Sequence, residues 1–499
     1  MNGALLVIAV LLAGCVQRAA ALEEPSAALV VDCSKPGRRV SPLIFGVAHT
    51  ERNVPERALP WELGAAAVRW GGNSNSRYNW ELGNAWNTAS DWHFRNVDYS
   101  GKKGPAHARF IDENRAHGLA SALTIPMIGW VAKDTASESS PVEGSPERTS
   151  VPAPPEMMER WVRTLRAEGR RPEMYILDNE PMLWNETHRD VHPQPVGYDE
   201  LLDRTIRYGA AIRRADPDAV IAGPALWGWP AYFNSAIDKQ KGFQLRPDRR
   251  AHGDVPLLPW YLRRLREHEK KTGVRILDVV DVHFYPQGKG IGGDAADPAT
   301  AARRVRSVRG LWDPSYRDES YIDEPIRLLP RLREWIDANY PGRGISIGEY
   351  NFGAEKHVSG GLAVAEALGR FFEAGISSAF YWTAPPRGSA AFWAFRAWRN
   401  FDGGGGRFQD FFAGAASLDR LSLFASRDEA AAHIVVVAVN ARERPARVKL
   451  QLTSCGQPDQ VRLFAYDGAE LKRRELSSTE TELPAQSFAT IEIRLGRKR

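Results

Sequence analysis

Two glutamates at the ends of apolar runs indicate which chemistry to look for. Residues 173–180 close on Asn179-Glu180, followed by Pro181, and residues 345–351 contain Gly348-Glu349-Tyr350. A carboxyl at the mouth of a buried strand, flanked by an amide and by rings that stack on sugar faces, suits cleavage of a glycosidic bond. Retaining cleavage needs two carboxyls about 5–5.5 Å apart, one as nucleophile and one as acid/base. For either glutamate alone the alternative is an ion pair or a loop cap. Asp178 shares a face with Glu180 one layer deeper and is expected to orient neighbours by hydrogen bonds. Glu186, past Pro181, and Asp281 are the rival carboxylates.

Four other kinds of group would serve that pair. Asn179 would bond the sugar hydroxyl beside the reacting carbon, an interaction that strengthens in the transition state. His283 and Tyr285 end a further run, residues 279–286, and are expected to reach Glu349. A tyrosine hydroxyl donating to that carboxylate would keep it ionised. The alternative for His283 is a satisfied core histidine. Trp70, Trp80, Trp92, Trp130, Trp184, Trp227, Trp229, Tyr350, Trp382 and Trp393 are the aromatic candidates for sugar contact, with Trp382 the platform at the cleavage point. Each is otherwise a core ring.

The elements that must position these residues recur eight times. The β-rich runs are 44–49, 66–72, 120–127, 173–180, 220–226, 279–286, 345–351 and 377–383. They are nearly continuous in hydrophobicity, as parallel strands buried on both faces should be. Helical patterns at 106–117, 155–168, 198–215, 259–272, 325–339 and 361–374 lie between them. The pattern predicts an α/β fold, a (β/α)8 TIM-like barrel over 44–394. A doubly wound open sheet is the alternative, and it lacks a Gly-rich phosphate loop after the first strand. Surface loops are expected at 133–155 and 287–299, on the C-terminal face of the barrel. Residues 395–499 change character. Short strands at 422–424, 433–440, 446–452, 460–466 and 488–494 read as a β-sandwich. A strand at 28–32, within an N-terminal segment 27–43, is expected to pair with that sheet.

The chain's 499 residues are 43% hydrophobic and 25% charged, which suits a globular protein with a large and a smaller domain. Sixteen tryptophans fit a polysaccharide partner. A net charge of +5 is spread along amphipathic stretches, so nucleic acid is not an expected partner. Residues 1–21 read as a signal peptide. Leu12-Ala13-Gly14-Cys15 resembles a bacterial lipobox, making Cys15 a lipidation site and the cell surface or outer membrane the destination. Cleavage after Ala19-Ala20-Ala21, with secretion, is the alternative. Membrane contact is expected only through that lipid, and the protein is expected to be a monomer. Cys33 and Cys455 are left either as one disulfide or as two unrelated small residues.

The Asn-Glu on the fourth run and Glu on the seventh resemble the large clan of (β/α)8 retaining hydrolases. That resemblance makes Glu180 the acid/base and Glu349 the nucleophile. Longer segments narrow it: Arg69-Trp70-Gly71-Gly72-Asn73, Tyr78-Asn79-Trp80-Glu81, Asp91-Trp92, Leu183-Trp184-Asn185-Glu186-Thr187-His188, Asp190-Val191-His192-Pro193, Val282-His283-Phe284-Tyr285-Pro286 and Arg399-Asn400-Phe401-Asp402-Gly403. These resemble the family 44 glycoside hydrolases, the endoglucanase and xyloglucanase group. The resemblance implies a barrel with a β-sandwich, retaining endo-cleavage of β-1,4-glucans such as cellulose derivatives, glucomannan or xyloglucan, and Asn73 at the substrate. It implies no organic cofactor. It admits a structural calcium whose ligands the sequence does not assign. The other readings are a clan relative such as an arabinofuranosidase or glucuronidase, and a noncatalytic surface glycan-binding lipoprotein.

Overall fold

The computed structural model describes residues 27–51, 58–89, 94–139 and 145–496. The signal segment, Cys15 and Trp92 lie outside them. Eight parallel strands close into a barrel: Gly46–His49, Ala67–Trp70, Ala120–Ile125, Met174–Leu177, Ile221–Leu226, Val279–Phe284, Gly344–Tyr350 and Ser378–Tyr381, the last pairing back onto the first. All eight expected runs are strands. Both faces of each are covered, which explains their unbroken hydrophobicity. Ala67, Ala122, Met174, Ile176, Ala222 and Phe380 fill the barrel interior. Val47, Val68, Leu123, Leu177 and Ile345 join the core shared with the outer helices. Gly46 is dictated by that filling, because a Cβ there would lie 2.5 Å from the Phe380 ring.

The six expected helices appear at Ala106–Ala116, Pro155–Ala167, Tyr198–Ala215, Leu257–Thr272, Leu328–Asn339 and Val358–Ala374. Tyr198–Ala215 illustrates why. Asp199 and Glu200 occupy its first turn and Arg213 and Arg214 its last, matching the helix dipole at both ends. Its buried face carries Leu201, Thr205, Tyr208 and Ile212, at spacings of three and four.

Three features depart from expectation. Helix Ala390–Arg399 was not expected, and the anticipated domain boundary at 394 falls inside it. It is wedged between barrel and sandwich, with Phe392, Phe395 and Trp398 buried. The segment 133–155 is no bare loop: Ser150–Pro152 pairs antiparallel with Trp130–Ala132. Residues 298–299 already belong to the helix Pro298–Ser307, whose first turn is capped by Asp297.

The second domain is a sandwich. Its larger sheet has the order Arg38–Arg39, Phe411–Leu418, Leu421–Arg427, His433–Asn440, Ser487–Leu495, Pro458–Tyr466, Leu471–Leu476. Its smaller sheet holds Ala27–Asp32, parallel to Ala446–Thr453, with Glu480–Leu483 beyond. Cys33 and Cys455, just past the paired strands, are disulfide-bonded with Cα atoms 5.0 Å apart. The central strands of the larger sheet are buried on both faces. Ile434, Val436 and Ala438 face the smaller sheet, while Val435, Val437 and Val439 join the barrel's core. Phe424 also faces the barrel, 5.7 Å from Trp398 between ring centroids. Burying one such ring contributes about 1.5–3 kcal/mol.

Candidate active site

The fourth strand stops at Leu177, and the next three residues turn sharply. Asp178 and Glu180 adopt left-handed backbone at φ 61° and 46°. Such residues cost on the order of 1–3 kcal/mol each and persist only where their surroundings hold them. The hold on Asp178 is visible. Its buried carboxylate accepts from the Ser76 hydroxyl and from the backbone N–H groups of Met127, Ile128 (3.0 Å) and Asn179 (2.7 Å). Burial raises its pKa to about 6 even against those donors. Asp178 therefore orients the turn, as expected. The Glu180 carbonyl accepts from Leu183 N–H at 2.8 Å, which fixes the exit of the turn.

Glu349 lies near the end of the seventh strand, opposite His283 in the sixth-to-seventh register. Single carboxylate oxygens of Glu180 and Glu349 and one His283 nitrogen lie within 4.8 Å of one another. Glu349 is 5% exposed and held at both oxygens: Arg69 Nη1 donates to Oε1 at 2.6 Å and the Tyr285 hydroxyl donates to Oε2 at 2.7 Å. Burial alone would raise its pKa. The charges of His283 and Arg69 and the Tyr285 hydroxyl outweigh burial and hold it below its usual value. His283 Nδ1 bonds Glu180 Oε1 at 2.9 Å and lies 3.6 Å from Glu349 Oε2. Burial would lower the imidazole's pKa, but the charge of Glu349 and the bond to Glu180 raise it. His283 thus bridges the two carboxyls, which favour its protonated form, rather than being a satisfied core histidine.

Arg69 also donates to Asn179 Oδ1 at 2.8 Å, and Asn179 Nδ2 donates to Asn73 Oδ1 at 2.8 Å. The amide beside Glu180 is therefore oriented with its polar end toward the cleft. Sequence reasoning gave Arg69 no role. The available signal was a lone cation inside a strand buried on both faces, which has to meet an anion there. The cleft has a volume of about 540 Å³, and its walls include Thr50, Asn73, Thr88, Asn179, Tyr285 and Trp382 around the two glutamates. Gly72 permits the approach of Trp382, since a Cβ there would lie 2.6 Å from the indole.

Among the described aromatic candidates, only Tyr285 and Trp382 line this cleft. Trp70, Trp184 and Tyr350 are fully buried core rings, because side chains facing out of the barrel strands or the following turn meet the helix layer. Trp80 lies parallel to Trp161, with centroids 6.2 Å apart. Trp130, Trp227, Trp229 and Trp393 are half-buried against the same core, with Lys239 over Trp227, Arg331 over Trp229 and Arg396 over Trp393. Of the rival carboxylates, Glu186 pairs with Lys239. Asp281 is fully buried beneath the site, against Gly348.

Among the described residues, one group of three acidic or imidazole side chains is spaced closely enough to hold a metal ion: Glu180, His283 and Glu349. It does not fit calcium, which takes six to eight oxygens. An imidazole occupies one position, and Arg69 and Tyr285 already hold Glu349.

The glycoside hydrolase family 44 model matches residues 85–148 and 138–288. Endoglucanase A of Paenibacillus lautus is 29% identical over 457 residues, covering 80% of this chain and 63% of that protein, so the chain spans less than two thirds of that relative. The crystal structure of CelM2, a bifunctional glucanase-xylanase from a metagenome library, superposes with a TM-score of 0.86 at 31% identity, covering 95% of this chain and 100% of that one. A Paenibacillus polymyxa family 44 xyloglucanase, solved with xyloglucan, gives 0.81 at 27% identity, covering 94% and 99%. With similarity spread over barrel and sandwich alike, the chain belongs to glycoside hydrolase family 44.

Proposed function

We propose that the chain is an endo-acting β-1,4-glucan hydrolase that works by double displacement. The observation that carries this reading is the pair of carboxyls with single oxygens within 4.8 Å, one of them held at both oxygens by Arg69 and Tyr285. Oxygens that close are compatible with the short spacing of retaining enzymes rather than the wider spacing of inverting ones. Glu349, held ionised by Arg69 and Tyr285, attacks the anomeric carbon. Glu180, at the open side of the pair, gives its proton to the departing glycosidic oxygen. The resulting glycosyl ester is then hydrolysed by water that Glu180 deprotonates. Asn179 is placed for the neighbouring hydroxyl and Trp382 for the sugar face.

The relatives' names, glucanase-xylanase and xyloglucanase, support a polymeric β-linked backbone as substrate. The N-terminal sequence, which reads as a signal peptide, supports export, with lipidation at Cys15 or, alternatively, cleavage after Ala21. Viscometry alongside reducing-end release on xyloglucan and carboxymethylcellulose tests the reading. Viscosity should fall well before reducing ends accumulate, and Glu180→Gln and Glu349→Gln should each abolish most of both signals with the fold intact. Release of single sugars at constant viscosity would contradict endo cleavage. Near-normal activity in either variant would remove its residue from the mechanism.

A further inference from the structure

A second cleft, of about 570 Å³, lies at the opposite end of the barrel. Leu43, Ala66, Ala120 and Glu173 line it, and all sit at or just before the starts of the first four strands. It is as large as the catalytic cleft and within the usual range for small-molecule sites. Its charge is unbalanced. Five arginines line it, Arg39, Arg115, Arg171, Arg399 and Arg407, against Glu173 and Asp410.

Pairing removes some of this excess but not all. Arg407 is spent on Asp410 at 2.7 Å and Arg171 on Asp216 at 2.6 Å. Glu173 accepts the Ser121 N–H at 2.6 Å. Arg39, Arg115 and Arg399 form no ion pair among the described residues. Arg115 reaches only the Gly169 carbonyl, at 2.7 Å. Arg399 is fixed in place: its Nε donates to the Gly64 carbonyl at 2.8 Å, and its guanidinium lies 5.1 Å from the Phe45 ring centroid. Its two terminal nitrogens are bonded to nothing in the described chain and are not enclosed. Burial, and then the charge of Arg407, pull its pKa down to about 10. The charge of Asp410, already paired with Arg407, offsets this only in part. Val40, Pro42, Leu43 and Leu119 give the same cleft an apolar wall.

We propose that this cleft binds a small oxyanion, a carboxylate or phosphate on a compact body, with Arg399 as the fixed donor and Arg39 and Arg115 completing the cage. A planar guanidinium fork pairs two oxygens of either group, and the apolar wall takes the body. Sugar acids and phosphate share this chemistry, so the test separates them. The intact protein is titrated calorimetrically with glucuronate, with inorganic phosphate and with glucose as the neutral counterpart, at constant ionic strength in chloride. Saturable one-to-one binding of glucuronate, of phosphate or of both is expected, with none for glucose. Glucuronate alone identifies a carboxylate site, and phosphate alone a phosphate site. Arg399→Gln should weaken binding by about tenfold or more, the effect of losing one charge-assisted contact. Trp382→Ala should not change it. Because Arg399 also supports Gly64, the rim variant Arg39→Gln/Arg115→Gln provides an independent reading with the same expected loss. No heat beyond that of chloride dilution overturns the proposal. So does binding that survives the rim variant, or binding lost in Trp382→Ala.

Discussion

At the scale of single residues, Glu349 and His283 titrate in opposite senses. The Glu349 pKa is depressed below 4.5, so its ionised form contributes stability that is present above that pH and lost as pH falls through the folded value. The His283 pKa is raised above 6.5, so its proton contributes stability that is present below that pH and lost as pH rises through the folded value. Tyr285 links the first of these to activity. Removing its hydroxyl removes a donor that favours the anion, so the Glu349 pKa must rise. Tyr285→Phe is expected to move the acid limb of the kcat/KM profile to higher pH and to lower kcat by about 10²-fold. An unmoved acid limb, measured on an aryl glucoside, would show that the hydroxyl does not hold the nucleophile.

At the scale of elements, the seam between helix Val358–Ala374 and the sandwich depends on one missing side chain. A Cβ on Gly369 would lie 2.3 Å from the Phe424 ring. Gly369→Ala gains about 1 kcal/mol of helix propensity. Overpacking a filled core costs about 1–3 kcal/mol, so a net loss is expected. Urea unfolding measures it, and a higher midpoint would show that Phe424 moves aside freely. The same elements show what the sequence makes readable. The eight barrel strands are legible because burial on both faces leaves unbroken apolar runs, and Glu180 and Glu349 are legible because each ends such a run. Edge strands are not. Leu471–Leu476 presents Lys472, Arg473, Arg474 and Glu475 to solvent and shows no alternation. Phe411–Leu418, flanked on its outer side only by the two residues Arg38–Arg39, runs through small, half-exposed residues from Ala413 to Ala416. Trp70 and Tyr350 are core rings that the sequence does not distinguish from cleft rings: aromatic identity is shared by core and cleft, and only the side of the strand decides between them. Arg69 was passed over because its partner, Glu349, sits five strands away in sequence.

At the scale of the whole molecule, the chain leaves the sandwich after Ala27–Asp32, builds the barrel, and returns. The Cys33–Cys455 bridge closes that circuit across a sequence separation of 422 residues. Cys33→Ser/Cys455→Ser is expected to lower unfolding free energy by about 2–4 kcal/mol, because the unfolded chain regains the freedom the bridge removes. An unchanged denaturation midpoint would mean that strand pairing alone holds the N-terminal segment. The barrel brings single carboxylate oxygens of two glutamates distant in sequence within 4.8 Å, and that closeness is the central claim. It is tested most directly by the configuration of the new reducing end, followed by proton NMR in the first minutes of hydrolysis, before mutarotation. Double displacement predicts that the β-anomer appears first and the α-anomer only later by equilibration. First appearance of the α-anomer would contradict the account.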